Sequence, residues 1–292
     1  MPELPEVETM VRGLRPAVVG QIIRNFEVLD THLLQGCTAE EIVRRATGAR
    51  VVSVGRRGKW VVLNLDNARG LIVIQPRMTG GFWLVPPDKP AHIRLKIEIE
   101  GSGRPVWFCD TRRLGKIALY DSQQEAELAF NRSQGPDATE IHRDDLAARL
   151  KKTARPIKPA IMDQKVLAGV GNIYADESLF RARIHPERRA NRLNTEEVTR
   201  LHAAIGSILL EAIAAEGSSF DAGYRTVLGL EGGFLAINSM YGRGGKPCPG
   251  CGEAIVKTKI VGLAGRPTHF CPTCQPKKRP GRHHKPNSKP PA

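Results

Sequence analysis

Four of the six cysteines form two Cys-x-x-Cys pairs, and this pattern restricts the possible folds more than any other feature of the sequence. The pairs are Cys248 with Cys251 and Cys271 with Cys274, and 19 residues separate them. This spacing is typical of a site in which four thiolates bind one zinc ion. Because protein thiolates fill all four positions, none remains to activate water, and we expect one structural zinc ion.

Two features indicate the cellular compartment. Glu3, Glu6 and Glu8 occupy positions where a signal peptide would carry basic and apolar residues. The longest apolar stretches are too short to span a bilayer. We therefore expect a cytoplasmic protein without membrane contact, in which the single cysteines Cys37 and Cys109 are small buried residues rather than disulfide partners.

The chain is strongly basic. Its 292 residues, enough for about two domains, include 44 Lys and Arg against 30 Asp and Glu, which gives a formal net charge of +14. Such a charge favours a polyanionic partner. Six positive charges lie in the last 18 residues, which hold five prolines and no large apolar side chain. Segment 276–292 is therefore predicted to be a disordered basic tail, while the rest of the chain remains basic without it.

Short β segments dominate the sequence from Gly20 to Tyr120. Segment Ile93–Ile99 alternates apolar and polar residues strictly, as a half-buried strand does. Prolines and paired glycines separate the segments, so an antiparallel sandwich or barrel is expected. The predicted strands are Gln21–Leu29, Val51–Val54, Trp60–Leu65, Leu71–Ile74, Ile93–Ile99 and Ile117–Tyr120.

Helical patterns follow from about residue 122. The longest one begins after Asn194, a residue that favours the start of a helix. The predicted helices are Glu125–Asn131, Asp144–Lys152, Lys158–Val166, Asn172–Ala182 and Thr195–Glu216. The sequence thus predicts an α+β protein in which a β domain, a helical domain and a zinc-binding hairpin follow one another.

The N-terminus combines a helix start with a reactive group. Apolar residues at helical spacing from Val7 onward predict a helix docked on the core. Removal of Met1 would leave Pro2 as a secondary amine beside Glu3. Such an amine condenses with an aldehyde-level carbon to a cationic iminium, and a helix N-terminus together with burial favours its uncharged, nucleophilic form.

Several motifs together resemble the formamidopyrimidine-DNA glycosylase family, and the similarity extends over most of the chain. Their order and their positions on the predicted elements suit that family. The motifs are Met1–Glu8, Gly58-Lys59, Asp110–Gly115, Asp163–Glu177 and the cysteine hairpin that contains Arg266.

The resemblance implies a bifunctional base-excision enzyme that removes oxidised purines, such as 8-oxoguanine and formamidopyrimidines, from damaged double-stranded DNA. Pro2 would attack the sugar C1′ of an extruded nucleotide, and the resulting Schiff base would undergo β- and δ-elimination. Glu3 would serve as acid and base, and Glu6 would support the site. The expected protein is a bacterial monomer that meets the nucleoid through DNA.

Further roles follow from the same resemblance. Lys59 would hold a phosphate near the lesion, and Arg266 would be the essential DNA-binding arginine of the zinc hairpin. Asn172 and Tyr174 lie in the matching helix–two-turn–helix segment, where the Gly169–Gly171 loop would allow DNA to approach the backbone.

A wedge that fills the space left by the extruded base is expected from Met78, Arg112 and Leu114. Two features depart from the family pattern. Leu114 replaces the usual Phe, and Gln75-Pro76-Arg77-Met78 replaces the more usual His-Leu-Gly-Met. Both weaken any inference about the base opposite the lesion. The glycine-rich segment Phe220–Phe234 matches the loop that covers the flipped base.

With these matches the expected domains are a β-sandwich catalytic domain (1–121), a helical helix–two-turn–helix domain (122–235), a zinc finger (236–275) and the tail (276–292). Structural interpretations remain for single residues: Glu3 and Glu6 as carboxylates at a helix start, Lys59 as a solvated basic turn, and Met78 as core. The cysteine site by itself could simply stabilise the fold.

Two other functions compete with oxidised-purine excision. An endonuclease VIII-like glycosylase would prefer oxidised pyrimidines, and Leu114 leaves room for this alternative. A non-catalytic zinc-finger DNA-binding protein would use only the helical motif and the hairpin. The Pro2-Glu3 pair argues against the latter, because binding alone does not need an N-terminal proline.

Overall fold

A computed structural model describes residues 1–220 and 223–277. The chain forms a mixed α+β fold, with strands up to Tyr120, helices between Gln123 and Ala214, and a two-stranded hairpin at the end. This order confirms the predicted fold class. Of the predicted basic tail 276–292, residues 278–292 lie outside the described residues. Within the described ranges, no helix has both the length and the apolar character needed to cross a membrane.

The N-terminal part is a sandwich of two four-stranded antiparallel sheets. Its strands are β1 Ile23–Val28, β2 Val51–Arg57, β3 Trp60–Leu65, β4 Leu71–Gln75, β5 Gly80–Trp83, β6 Ile93–Ile99, β7 Val106–Asp110 and β8 Lys116–Tyr120. The order is β1-β6-β7-β5 in one sheet and β2-β3-β4-β8 in the other. Alternating apolar residues, among them Phe26, Leu63 and Phe108, fill the space between the sheets.

Two strands and one α-helix of this part were not predicted: β5, β7 and α2 (Ala39–Ala46). β5 begins with two glycines, which have low β propensity, and its pairing with β7 holds it in the sheet. A glycine is needed at Gly80, since a Cβ there would lie 2.4 Å from the carbonyl oxygen of Pro76. The local sequence therefore disfavours β5, and the strand forms because it pairs with β7, which is distant in sequence.

Helix α1, Leu4–Val18, lies between two hydrophobic cores. Val7 and Met10 are fully buried in the sandwich core, as the apolar spacing predicted. Leu4 belongs instead to the core of the helical domain, and its amide donates a 3.1 Å hydrogen bond to the carbonyl of Gly169. The start of the chain is thus fixed where the two domains meet.

The helical domain contains α3 Gln123–Ser133, α4 Arg143–Lys151, α5 Ile157–Met162, α6 Asn172–Arg181 and α7 Thr195–Ala214. α6 and α7 pack against each other around Tyr174 and Leu201. The predicted cap of α7 is confirmed, since Oδ1 of Asn194 accepts a 2.8 Å hydrogen bond from the amide of Glu197.

The helix predicted over Lys158–Val166 is shorter in the structure and ends at Met162. The carboxylate of Asp163 accepts a 2.9 Å hydrogen bond from the amide of Lys165 and thereby forms a turn. Such a local side-chain contact competes with continuation of a helix.

The C-terminal hairpin consists of β9 Val256–Lys259 and β10 Pro267–Phe270. The buried carboxylate of Glu177, on α6, holds the preceding segment by accepting hydrogen bonds of 2.8 Å from the amides of residues 239–241. The fully buried Gln275 donates a 2.8 Å hydrogen bond to the carbonyl of Ile184. The hairpin is therefore attached to the helical domain on both sides.

The two single cysteines differ in their surroundings. Cys109 is buried as predicted, and burial raises the pKa of its thiol to about 11. Cys37 is only half-buried, so the prediction of a buried residue was wrong there.

Candidate active site and zinc finger

Glu3 precedes helix α1 and points into the start of helix α6. Its Oε1 accepts a 3.0 Å hydrogen bond from the amide of Ile173. The side chain is buried, and its Oε2 has no hydrogen-bond partner among the described residues. An acceptor left free in a buried place is available for a proton or a ligand.

Two glycines allow this approach. A Cβ at Gly171 would lie 2.2 Å from the carboxyl carbon of Glu3, and a Cβ at Gly169 would lie 2.4 Å from a methyl carbon of Leu4. The loop Gly169–Gly171 was expected to admit DNA to the backbone. In the structure its missing side chains make room for the N-terminus of the chain itself.

Glu6 lies in the next turn of α1 and is almost fully buried. Its carboxylate accepts hydrogen bonds from the hydroxyl of Tyr174 and from the amides of Glu3 and Ser218, the last two at 2.8 Å. Burial, together with the charge of Glu3, raises the pKa of the Glu6 carboxyl. Glu6 and Tyr174 thus join α1, α6 and the segment after α7.

The side chains of Glu6 and Tyr174 are enclosed by the protein. Their exposed fractions are 1% and 0%, so neither side chain reaches a strand on the surface. Asn172, the first residue of α6, is 8% exposed, and its Oδ1 has no partner in the described part of the chain. Of these three residues, Asn172 is the one whose side chain is still free to bind a ligand.

Pro2 directly precedes Glu3 in the chain. It is buried next to Glu3, whereas Met1 is 40% exposed. While Met1 is attached, the Pro2 nitrogen is part of a peptide bond and cannot act as an amine. Because Met1 projects into solvent, its removal would uncover the nitrogen without disturbing the core.

Lys59, in the turn between β2 and β3, faces the same place from the sandwich. Its Nζ donates a 3.1 Å hydrogen bond to the carbonyl of Val170, which directly precedes Gly171. Burial lowers the pKa of this ammonium, the charge of Glu3 opposes the shift, and the charge of Arg266 adds to it. The structure therefore brings Glu3, Lys59 and Arg266 close enough for their charges to interact.

A buried ion pair that the sequence did not indicate fixes the turn carrying Lys59. Asp137 accepts hydrogen bonds from Arg56 at 2.5 Å and from the amide of Gly58 at 2.9 Å. Arg56 also reaches Glu8 at 3.1 Å. Because opposite charges far apart in sequence carry no periodic signal, only the fold reveals this contact between the two domains.

The predicted wedge residues lie on two neighbouring turns. Met78, Arg112 and Leu114 are all exposed, and Nη1 of Arg112 lies 3.3 Å from Sδ of Met78. Arg77, where the family pattern has glycine, adopts a φ of 58°. This is the left-handed region that favours glycine, so the arginine adds backbone strain beside Met78.

Asp110 connects the two turns, a role that no sequence pattern indicated. Its fully buried carboxylate accepts hydrogen bonds from the hydroxyl of Thr79 at 2.5 Å and from the amide of Gly115 at 2.7 Å. The amide of Arg112 donates to the same group at 3.2 Å. One carboxylate thus fixes the relative position of Met78 and Arg112.

A cavity of about 360 Å³ opens beside these turns. Thr79, Trp83 and Cys109 line it from the sandwich, and Gly223 and Arg225 line it from the loop that follows α7. The loop expected to cover a flipped base therefore faces the wedge turns, as far as its described residues go.

The four predicted zinc ligands come together at the base of the hairpin. Their sulfur atoms lie within 4.8 Å of one another, with distances of 3.9 Å from Cys248 to Cys274 and 3.4 Å from Cys251 to Cys271. Zn–S bonds of about 2.3 Å in a tetrahedron place sulfurs about 3.8 Å apart, so the geometry fits zinc. The four thiolates are the ligands for one structural zinc ion at the base of the hairpin.

Arg266 is exposed at the distal end of this hairpin, immediately before β10. Lys257 and Lys259 are exposed on β9. The hairpin therefore presents cations to solvent, and the charge of one of them, Arg266, acts on Lys59. A phosphate backbone is a suitable partner for such an arm.

Three family models match consecutive parts of the chain. The formamidopyrimidine-DNA glycosylase N-terminal domain matches residues 1–117, and the formamidopyrimidine-DNA glycosylase H2TH domain matches residues 133–222. The zinc finger found in FPG and IleRS matches residues 245–277.

Similar proteins extend over nearly the whole chain. Formamidopyrimidine-DNA glycosylase of Thermus thermophilus is 41% identical over 278 residues, covering 94% of this chain and 98% of that protein. The Bacillus subtilis (strain 168) protein of the same name is 39% identical over 285 residues, covering 95% and 100%.

Solved structures agree with the fold. The crystal structure of MutM (Fpg) from Thermus thermophilus matches with a TM-score of 0.83 at 39% identity, covering 95% of this chain and 100% of that one. A complex of a Lactococcus lactis Fpg mutant with Fapy-dG-containing DNA matches with a TM-score of 0.84 at 32% identity, covering 94% and 100%.

Sequence and fold together define a DNA glycosylase of base excision repair. Because relatives about 40% identical are matched over almost their full length, the chain belongs to the formamidopyrimidine-DNA glycosylase family. The predicted family and the structural zinc ion are thereby confirmed.

Proposed function

We propose that this protein excises oxidised purines from damaged double-stranded DNA and then cleaves the strand at the abasic site, using Pro2 as nucleophile. The observation that carries the proposal is the buried carboxylate of Glu3. One of its oxygens is held by Ile173 and the other has no partner among the described residues, directly beside Pro2.

In the proposed first step the Pro2 nitrogen bonds to C1′ of the extruded nucleotide and loses its proton, and the base leaves with the electrons of the glycosidic bond and takes up one proton. Glu3 gives a proton to the sugar ring oxygen as its bond to C1′ breaks, which leaves a cationic iminium. The N-terminus of α1 and the buried setting favour the uncharged amine that this attack requires.

Loss of a C2′ proton then expels the 3′ phosphate, and a second elimination expels the 5′ phosphate. Water finally hydrolyses the iminium and restores the amine. Lys59 and Arg266 would bind phosphates near the lesion, since both are cations directed to the same place. Met78, Arg112 and Leu114, exposed on adjacent turns, would occupy the space that the extruded base leaves.

The choice of oxidised purines rests on the relatives. A Lactococcus lactis protein has been solved with Fapy-dG-containing DNA, and a MutM structure contains carbocyclic 8-oxo-G DNA. The net charge of +14 suits DNA as partner. A DNA substrate supports action at the nucleoid in the bacterial cytoplasm, and we propose that the protein acts there as a monomer.

The test is borohydride trapping with protein from which Met1 has been removed, on a duplex with one 8-oxoguanine opposite cytosine. We expect a covalent protein–DNA adduct and strand cleavage on both sides of the abasic site. Protein that keeps Met1 is the matched control and should give no adduct. Absence of an adduct with the processed protein would contradict the Pro2 mechanism and support a binding protein.

A lesion panel then addresses substrate class. Oxidised purines should be released faster than oxidised pyrimidines from the same sequence context. The reverse order would favour the endonuclease VIII-like alternative, for which the exposed Leu114 in place of Phe is the relevant observation.

A further inference from the structure

Lys158 carries a charge but is completely buried, and the mechanism above does not use it. It lies on α5 with 0% exposure, and its Nζ is 2.7 Å from Oδ1 of Asp176, on α6. A buried ion pair gives little net stability, but removal of one partner is strongly destabilising because it leaves the other charge buried and unpaired. Its position within the fold is therefore informative.

The same two side chains hold strand β10 of the zinc hairpin. Nζ of Lys158 donates to the carbonyl of Pro267 at 2.9 Å and to the hydroxyl of Thr268 at 3.0 Å. Oδ2 of Asp176 accepts from the amide of His269 at 2.9 Å and lies 3.1 Å from its Nδ1. Three consecutive residues of β10 are thus fixed, beginning with the one directly after Arg266.

Helix α6 is also the element to which Glu3 is attached. The amide of Ile173, three residues before Asp176, donates to Glu3. Three residues of α-helix extend about 4.5 Å, so both attachments lie within one turn. The charges of Glu3 and Arg266 both act on Lys158, so the three groups lie close enough to interact.

We propose that Lys158, Asp176 and His269 form a buried bridge that sets the position of Arg266 relative to Glu3, so that Asp176 is a positioning residue for lesion excision. This inference rests on the proposed role of Arg266 at the DNA. The bridge acts through geometry, because its members are too deeply buried to touch DNA.

The test is a double-mutant cycle with Asp176→Asn, Arg266→Ala and the combined variant, measured as single-turnover release of 8-oxoguanine. Asp176→Asn should lower the rate by about 10- to 100-fold, the effect of a misplacement near 1 Å. In the Arg266→Ala background the same substitution should change the rate by less than about twofold. Glu211→Gln, which breaks the surface pair of Glu211 with Arg181 on α6, is the control and should leave the rate unchanged.

Equal effects of Asp176→Asn in both backgrounds would overturn the bridge and leave Asp176 a merely structural residue. If Arg266→Ala does not lower the rate, the bridge is overturned as well. Borohydride trapping by Pro2 is scored separately, so the proposed enzymatic function can survive that result.

A second readout concerns DNA binding and zinc. Asp176→Asn should keep one zinc per chain and weaken the salt dependence of binding by up to about one unit of slope, as removal of a single phosphate-binding cation does. An unchanged slope would contradict the proposal. If Asp176→Asn does not fold, Lys158→Met with Asp176→Asn removes both charges and takes its place in the same cycle.

Discussion

The amide of Ile173 donates a 3.0 Å hydrogen bond to Oε1 of Glu3, across 170 positions of sequence. This contact attaches Glu3, the proposed acid–base group near the N-terminus, to the first turn of α6. Helix α6 also carries Asp176 and Glu177, which hold the zinc hairpin and the segment before it. One helix is therefore the common support of the proposed catalytic groups.

Replacement of Gly171 by alanine should move Glu3. The new Cβ would lie 2.2 Å from the Glu3 carboxyl carbon, so the carboxylate must shift, and we expect excision to slow by about 100-fold. The control is Gly206→Ala in α7, where a Cβ meets nothing within 4 Å; it should stabilise the protein by about 1 kcal/mol without affecting the rate. A wild-type rate for Gly171→Ala in single-turnover kinetics would disprove this role of the glycine.

Asp110→Asn should loosen the wedge turns. The carboxylate accepts hydrogen bonds from Thr79 and from the amide of Gly115, and loss of an acceptor at a buried site costs about 1–3 kcal/mol. Release of a damaged base should slow more than cleavage of a preformed abasic site, which has no base to expel. The two rates are measured on duplexes of the same sequence, one with a damaged base and one with an abasic site, and Thr111→Val is the control in the same turn. Equal slowing of the two reactions would argue against a wedge.

Removal of zinc should abolish the function of the hairpin while both large cores remain folded. Without the ion, the thiolates of Cys248, Cys251, Cys271 and Cys274 no longer hold the strands that support Arg266. We expect at least a tenfold loss of affinity for DNA, about 1.4 kcal/mol, measured together with zinc content after chelation. Added zinc should restore binding and added magnesium should not, because Mg²⁺ prefers oxygen ligands. Undiminished affinity of zinc-free protein would contradict the proposed arm.

DNA binding should weaken on the alkaline side because of Lys59. Burial lowers the pKa of this lysine in the folded protein below its ordinary 10.5, so the ammonium becomes a neutral amine at a lower pH than a free lysine would. The neutral form cannot pair with a phosphate, and affinity should fall as the pH rises through that lowered pKa. Lys59→Arg keeps its charge and should move the fall to higher pH, whereas Lys257→Arg on the exposed face of the hairpin should not. An identical alkaline profile for wild type and Lys59→Arg would rule out this assignment.

Truncation after Lys277 tests the basic tail. The deleted residues 278–292 carry five positive charges and no acidic residue. Each phosphate that a tail cation neutralises adds about 0.9 to the salt slope of DNA binding, so truncation should reduce the slope by at most about 4.5. The cut must leave Gln275 in place, because this buried side chain binds Ile184 and the amide of Cys271. The same affinity across a salt series for both proteins would show that the tail does not contribute.

Local patterns in the sequence were sufficient for much of the fold. The strict alternation of Ile93–Ile99 became strand β6, and Asn194 became the cap of α7. β5 was missed because its glycines hide a strand that exists through its pairing with β7. The end of α5 was misplaced because the Asp163 turn competes with the helix.

The candidate site was predictable only where the motif lies within a few residues. Pro2, Glu3, Lys59, Arg266 and the cysteines were all marked by such motifs. The burial of Glu6 and Tyr174 was not marked in this way, because their contact joins residues that are distant in sequence.

The sequence by itself determined the zinc ligands, the β-then-helical order and a basic chain with a reactive N-terminus, because spacing, periodicity and composition act over short distances. Tertiary structure decided that Gly171 makes room for Glu3, that Asp110 connects the wedge turns, and that Lys158 and Asp176 attach the hairpin to α6. These contacts join buried polar groups that are distant in sequence. Burial of such groups is favourable only when the packing that removes water also supplies a hydrogen-bond partner. A local sequence pattern does not show which partner the fold supplies.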